Sequence, residues 1–341
     1  MSRFVTRTLR GARHFLSSPN PLRDPVFGRI EIEFTRATYL VRFYYLVSAF
    51  IAYGMMRSIH AMTEQSSAWV FLWPVKWLHS VNPDLYFLLE VMPLIAMFAA
   101  LAAMQFPNRI LPRVVFAIFC LFSVAVTNSQ GGIDHAYHMW LWIGLCFIFL
   151  PPIPSTGLIS RADKMSYLSA IVGTQALLLL SYTLAGFWKT RGGLIPLFHG
   201  ELGNFAPTGL ASQLADRMLV TGTHPLLANF VINNYWISYF LFLGLIYTQL
   251  VAVLVILRPR LHVVWGYILI LFHTGTWLLM EIDFPQHVLF LGLLFVLSPF
   301  RPTRWNLPEV VCDVPGFGFL GRLVWRSPAK HSPRPAAAAA E

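Results

Sequence analysis

The sequence predicts an all-α protein: a polytopic integral membrane helical bundle of about eight transmembrane helices, with both termini in the cytoplasm. Three observations support this prediction. Of the 341 residues, 56% are hydrophobic and only 12% are charged, about half the charged fraction of an ordinary soluble domain. The mean hydropathy is +0.60, and the apolar residues form eight runs long enough to cross about 30 Å of hydrocarbon. Lysine and arginine are also distributed unequally between the segments that separate these runs.

The chain divides into three parts along its length. Residues 1–37 form a basic cytoplasmic arm, residues 38–300 form the transmembrane domain, and residues 301–341 form a basic cytoplasmic tail that we expect to be largely disordered. The predicted spans lie near residues 38–57, 84–104, 110–128, 135–154, 166–188, 234–257, 262–281 and 284–300.

The basic residues predict the orientation of these spans. If the spans alternate in direction, 19 of the 25 lysines and arginines fall on the side of the termini, five fall on the other side, and Arg42 lies inside the first span. Cytoplasmic loops carry an excess of Lys and Arg, so we predict cytoplasmic termini. The long connection over residues 190–233 is then extracytoplasmic, and the pattern from Pro207 to Leu219 predicts a short amphipathic helix within it.

Composition and cysteine content argue against several other classes of protein. The net charge of +10 is explained by the basic cytoplasmic segments, so we predict no nucleic acid partner. Cys120, Cys146 and Cys312 are isolated from one another, and two of them lie within apolar runs. We therefore predict neither a disulfide framework nor a metal site.

The fifth span carries polar residues on one face and ends at a lysine. Gln175, Tyr182, Gly186 and Lys189 follow one another at intervals of seven, four and three residues, which places them on one face of a helix. A polar face of a membrane helix is turned towards protein or water rather than lipid. We therefore predict that this face lines a site and that Lys189 lies at its outer opening.

Other polar residues lie at the same outer level of the bundle. With a rise of about 1.5 Å per residue, Glu90 lies about 9 Å and His273 about 12 Å below the outer surface. The other members of the set open the fourth and sixth spans: Asp134, His135, His138 and Asn234. Ionisable groups inside a bilayer are costly and usually functional. For each residue alone, the alternative is a structural role, such as an interfacial hydrogen bond or a snorkelling lysine.

Three stretches of the sequence form a further pattern. They are Ile133-Asp-His-Ala-Tyr137, Ala185-Gly-Phe-Trp-Lys189, and Phe272-His273 followed by Ile282-Asp-Phe-Pro285 and Leu294-Phe-Val-Leu-Ser-Pro299. In this order and spacing they resemble the vitamin K-dependent γ-carboxylase-like membrane domain, also called the HTTM domain, over about residues 35–300. The matching motifs of that family are a histidine segment that opens a span, Ala-Gly-x-x-Lys after a tyrosine, and Phe-His followed by Phe-Pro.

The resemblance implies a specific chemistry for the predicted site. In the carboxylase branch the matching lysine is the base that deprotonates a reduced quinone, and two histidines line the same pocket. Lys189 would accordingly be the catalytic base, and His135 and His273 would hold the quinol; a desolvated lysine is a usable base. The implied cofactor is a reduced, vitamin K-like quinone. The residues that we predict to bind the substrate beside these three are Glu90, Asp134, His138, Tyr182 and Asn234.

Three departures separate this chain from the carboxylase branch. Asp134 stands at the position of an asparagine, and Trp188 stands at the position of a first lysine. The sequence also predicts no large extramembrane domain after the eighth span, where the carboxylase holds its protein substrate. We therefore expect related base-dependent chemistry rather than glutamate carboxylation of a docked protein. Because many members of the wider family are bacterial, the resemblance implies the bacterial cell (inner) membrane as the location.

Three functions are compatible with the sequence. The first is a membrane enzyme with an outward-facing pocket, which carries out base-dependent redox or carboxylation-type chemistry on a quinol or another lipophilic substrate. The second is a non-catalytic protein for maturation, export or transport of a small peptide or protein. The third is a b-type haem electron carrier with His135 or His138 and His273 as axial ligands, which the different depth of His273 disfavours. In all three, the lipid bilayer is a partner.

Overall fold

A computed structural model describes residues 27–63, 70–80, 86–129, 135–153, 159–200, 203–319 and 324. Within these ranges the chain is helical, without β-strands. The α-helices are α1 (Ile30–Thr63), α2 (Tyr86–Gln105), α3 (Ile110–Asn128), α4 (His138–Phe147), α5 (Arg161–Phe198), α6 (Gly209–Thr221), α7 (Ala228–Asn233), α8 (Tyr235–Leu250), α9 (Pro259–Met280), α10 (Pro285–Leu291) and α11 (Leu307–Asp313). A 3-10 turn precedes α4 at His135–Tyr137, another follows α8 at Ala252–Leu257, and a π-turn follows α10 at Gly292–Val296.

The structure confirms the helical and apolar character that composition predicted. Four helices are long and apolar enough to cross a membrane: Ile30–Ile59, Ile110–Asn128, Arg161–Pro196 and Pro259–Met280. Shorter apolar helices cover Leu89–Gln105, Tyr235–Leu250 and Pro285–Val296. Each predicted span overlaps a helix, and a crossing of the membrane by all eight stays a prediction.

The ends of two helices differ from the predicted boundaries. α1 begins at Ile30, inside the segment predicted as an arm, because Glu31 and Glu33 lie in its first turn, where negative charge is favourable. The Arg29 backbone N–H donates to Glu33 Oε1 over 3.3 Å. α5 continues nine residues beyond Lys189, into the predicted 190–233 loop. This extension is held by the chain that folds back on it, since a Cβ on Gly193 would lie only 2.6 Å from the Phe205 ring.

Residues 190–233 are largely helical rather than an open loop. The predicted amphipathic helix is present as α6, and α7 follows it. Both pack against the end of α9: Arg217 Nε donates to the Met280 carbonyl over 2.7 Å, and the Leu227 N–H donates to the Leu278 carbonyl over 3.1 Å. The segment therefore covers one end of the bundle.

The beginning of the predicted tail is also folded. α11 lies against the start of α9, where Arg260 forms ion pairs with Asp313 over 3.1 Å and with Glu309 over 3.0 Å. Arg258 donates to the Asp313 carbonyl over 2.9 Å. These buried charges explain why residues 301–319 are structured although the sequence predicts a disordered tail; residues 320–323 and 325–341 lie outside the described part.

Hydrogen bonds group the helix termini into two ends of the bundle. One end, here called the arginine end, holds the starts of α1, α3 and α5 and the end of α4. There, Lys164 of α5 pairs with Glu31 of α1 over 2.6 Å. Arg113 of α3 is buried there and donates to the Phe147 and Leu150 carbonyls at the end of α4 over 3.0 and 2.6 Å. The opposite end, here called the histidine end, holds the start of α4, the last turns of α5 and α9, and the start of α10.

Candidate functional site

A buried tyrosine–histidine pair lies between α5 and α9 at the histidine end. Tyr182 Oη and His273 Nε2 are 2.6 Å apart, and both residues are buried, with 6% and 5% exposure. Among the described residues, Nδ1 of His273 has no hydrogen-bond partner although it is buried. A buried imidazole nitrogen without a partner is unusual in a folded protein, so this atom is available to a ligand.

Aromatic rings surround His273 on several sides. The centroids of Phe272, Phe284 and His287 lie 4.8, 5.1 and 5.0 Å from the His273 ring. Phe284 and His287 come from the turn before α10 and from its first residues. The Phe-His and Phe-Pro stretches of the sequence are therefore brought together around one imidazole, in an apolar and aromatic environment.

Lys189 lies two helical turns beyond Tyr182 on the same face of α5. Its Nζ donates to Gln249 Oε1 of α8 over 2.9 Å and lies 6.0 Å from the centroid of the Phe272 ring. Lys189 is partly buried, and in the described part of the chain no carboxylate lies within ion-pair distance of it. Its immediate partner is a neutral amide.

Gly186 allows the close contact that supports this lysine. A Cβ at Gly186 would lie 2.7 Å from the Leu250 backbone nitrogen and 2.9 Å from Gln249 Cβ. Only a residue without a side chain lets α5 approach the end of α8 this closely. Nearby, the Val253 N–H donates to Thr183 Oγ1 over 3.0 Å. The face of α5 that the spacing predicted as polar is therefore turned towards protein.

His135 and His138 form a second pair at the same end. Their Nδ1 atoms are 3.2 Å apart, and His138 stacks on Trp142 with 6.0 Å between centroids. The 3-10 turn that carries His135 contacts α10, which also carries His287. The structure thus places both histidine groups against α10. His135 itself is exposed.

The other predicted site residues have different surroundings. Glu90 is partly buried on α2, whose principal neighbours are α1 and α3 rather than α5 or α9. Asn234 joins α7 to α8 and donates to the Phe230 carbonyl over 2.8 Å, so its amide stabilises a local turn. Asp134 lies outside the described residues. Substrate binding by these three residues stays a prediction.

Two polar features beside this region were not predicted from the sequence. One is Gln249, the partner of Lys189. The other is a buried network in which Gln175 Nε2 donates to the Leu294 carbonyl over 2.6 Å and to Ser298 Oγ over 3.2 Å. Ser298 Oγ is also 2.8 Å from His262 Nδ1. Gln249 lies within the predicted sixth span and His262 is the first residue of the predicted seventh span. A polar group in a predicted span was the signal that could have identified them.

Comparisons with known proteins do not extend this description. No family model, curated protein or solved structure matches the chain at a significant score. Among the residues that the structure describes, no group of three or more His, Cys, Asp or Glu side chains is arranged to hold a metal ion.

Proposed function

We propose that this chain is a bacterial cell (inner) membrane protein with eight crossings and a cytoplasmic arginine end. The excess of Lys and Arg in cytoplasmic segments supports this orientation. Six of the basic residues that support it are in described contacts or turns at the arginine end: Arg29, Arg36, Arg113, Lys164, Arg258 and Arg260. The histidine end then faces the extracytoplasmic side.

The proposed function is base-dependent chemistry on a quinol or a similar lipophilic hydroxyl compound at the histidine end. The observation that carries this proposal is the position of Lys189: it is bound by the neutral Gln249 amide, beside the buried Tyr182–His273 pair. A lysine that serves as a base must lose its proton, and a neutral partner stabilises the ammonium form less than a carboxylate would. Lys189, His273 and Tyr182 form the core of the proposed site, with His135 and His138 at its edge.

The residues present fit a reduced quinone. The rings of Phe272 and Phe284 offer apolar contacts to an aromatic substrate, and the Nδ1 atom of His273 offers a hydrogen-bond partner to a phenolic hydroxyl. In this proposal Lys189 Nζ accepts the proton of such a hydroxyl. Tyr182 holds the His273 ring through Nε2, which leaves Nδ1 for the substrate. A bound quinol would supply two electrons and two protons to dioxygen as the acceptor; the protein supplies the base, the orientation and an apolar environment.

The test compares Lys189→Arg with Lys164→Arg. Arginine keeps the positive charge but does not deprotonate at working pH. We expect Lys189→Arg to lower the oxidation rate of a reduced short-chain naphthoquinone, measured by ultraviolet absorbance and oxygen uptake in proteoliposomes, by about 100-fold or more. Lys164→Arg is the matched control, because Lys164 pairs with Glu31 at the other end. The rate of Lys164→Arg should stay within about twofold of the wild-type rate, because an ion pair with an exposed carboxylate contributes little to stability.

Several results would contradict the proposal. A fully active Lys189→Arg protein with normal helicity and melting temperature would remove the base role. No oxidation of the naphthoquinol by the wild type would rule out this substrate class. A Soret band in the purified protein that disappears on His273→Ala would favour haem ligation instead. An export phenotype that survives Lys189→Arg would favour a non-catalytic role in peptide handling.

A further inference from the structure

A recess lined by two arginines lies at the arginine end, away from the histidine end. A cavity of about 830 Å³ opens between α1, the turn from α2 to α3, the chain after α4, and α5. One face of α1 lines it from Phe34 to Arg42, and the α2–α3 turn contributes Gln105 to Arg109. Its size lies within the range of small-molecule sites, about 300–1,000 Å³. The cavity is therefore large enough for a small molecule or a lipid headgroup.

The charge of this cavity is uniformly positive. Arg42 and Arg109 line it, and none of its lining residues is acidic. The nearest carboxylates along the chain are engaged elsewhere: Glu31 pairs with Lys164 over 2.6 Å, and Glu33 Oε1 accepts from the Arg29 N–H over 3.3 Å.

Neither arginine has a protein partner for its guanidinium in the part of the chain that the structure describes. A guanidinium carries five donors in a planar fork that matches carboxylate and phosphate groups. Two such groups around one recess, with no carboxylate among the lining residues, favour an anionic ligand. Asn108 adds a buried side-chain oxygen without a hydrogen-bond partner in the same recess.

The rim of the cavity is apolar and exposed. Tyr39 is 66% exposed on α1, and Phe106 is 57% exposed on the α2–α3 turn. Ile110 and Leu111 do not line the cavity, but they follow Arg109 directly at the start of α3 and are 58% and 69% exposed. Aromatic side chains at such positions are typical of the membrane–water interface. A ligand of this cavity therefore meets positive charge inside and apolar surface at the opening.

We propose that this cavity binds the headgroup of an anionic phospholipid, with its phosphate between Arg42 and Arg109 and its acyl chains along the exposed apolar rim. The site is independent of the proposed chemistry at the histidine end. It depends only on the arginine end lying at the level of the lipid headgroups. Each Lys or Arg near the cytoplasmic surface strengthens the binding of anionic lipids by about fivefold, and two guanidinium groups that line one recess direct this attraction to one place.

The experiment is native mass spectrometry of the full chain after delipidation, with defined lipids added back. The probes are phosphatidylglycerol, phosphatidylcholine and inorganic phosphate. We expect phosphatidylglycerol to be retained, and the Arg42→Gln/Arg109→Gln variant to retain it about 25-fold less. Each single variant should retain phosphatidylglycerol about fivefold less than the wild type. The single variants keep the test valid if the double variant is unstable. Circular dichroism and gel filtration verify the fold.

The matched control is Arg161→Gln. Arg161 is exposed at the first residue of α5, at the same end of the bundle, and does not line the cavity. Its retention of phosphatidylglycerol should equal that of the wild type. Equal loss in Arg161→Gln would overturn the site in favour of general surface charge. Equal retention of phosphatidylcholine, or binding of inorganic phosphate without phosphatidylglycerol, would overturn the assignment to an anionic lipid.

Discussion

Replacing Gly186 by alanine tests whether the contact between α5 and α8 supports the site. The new Cβ would lie 2.7 Å from the Leu250 nitrogen and 3.0 Å from the Gln249 carbonyl carbon, whereas ordinary contacts begin at 3.4 Å. Both are backbone atoms, so no change of rotamer relieves the clash. The end of α8 would have to move by about 0.7 Å, and Gln249, which accepts from Lys189, would move with it.

Gly173→Ala on the same helix isolates the size of this effect. A Cβ at Gly173 meets nothing within 4 Å. Both variants gain the same helix propensity, up to about 1 kcal/mol for alanine over glycine, so the difference between them reports the overpacking alone. Overpacking costs about 1–3 kcal/mol. We therefore expect the free energy of unfolding of Gly186→Ala to lie about 1–3 kcal/mol below that of Gly173→Ala.

The assay is a reversible titration with sodium dodecyl sulfate in mixed micelles, followed by tryptophan fluorescence. Circular dichroism of both variants before titration shows whether helix content is retained. If Gly186→Ala is as stable as Gly173→Ala, the close approach of α5 and α8 is not a constraint. The same result would remove the support that we assign to the contact between Lys189 and Gln249.

Two further predictions concern the ends of the bundle. Asp313→Asn should lower the free energy of unfolding by about 3 kcal/mol in the same titration, because it removes one partner of a buried ion pair with Arg260. Glu309→Gln should lower it by about 1 kcal/mol or less, because the Glu309 side chain is 28% exposed. Equal losses in the two variants would contradict this ranking. In a cysteine-free background, single cysteines at Ser212 and Arg304, both exposed, should react with an impermeant maleimide from opposite sides of the membrane, and labelling from the same side would rule out the proposed orientation.

The polar face of α5 was predictable because helix periodicity is a local property. The intervals from Gln175 to Lys189 depend only on 3.6 residues per turn, and each of these residues does contact protein. The relative level of Tyr182 and His273 along the bundle was predictable for the same reason. Tyr182 precedes Lys189 by seven residues, or about 10 Å, which is close to the depth of about 12 Å expected for His273, its partner.

The partners of these residues were not predictable from a single sequence. Lys189 and Gln249 are 60 residues apart, and nothing in the local pattern distinguishes Gln249 from another polar residue in an apolar run. Pairing at this distance depends on which helix faces meet, and Gly186 determines that by its lack of a side chain. The helix α11 was not predicted from the sequence for a similar reason. Its short sequence is stabilised by ion pairs to Arg260, 53 residues away, rather than by its own propensity.

The last apolar segment, Pro285–Val296, has a consequence for how the protein is made. Its helical rise is about 18 Å, which is less than the hydrocarbon thickness of about 30 Å. Carbonyls in and just after this segment accept hydrogen bonds from earlier parts of the chain. The Leu294 carbonyl accepts from Gln175 of α5, and the Pro299 carbonyl accepts from Arg36 of α1. The ribosome completes α1 and α5 long before this segment emerges. If this segment crosses the membrane as we propose, its insertion relies on helices that entered the bilayer before it, because they provide the hydrogen bonds that lipid cannot offer.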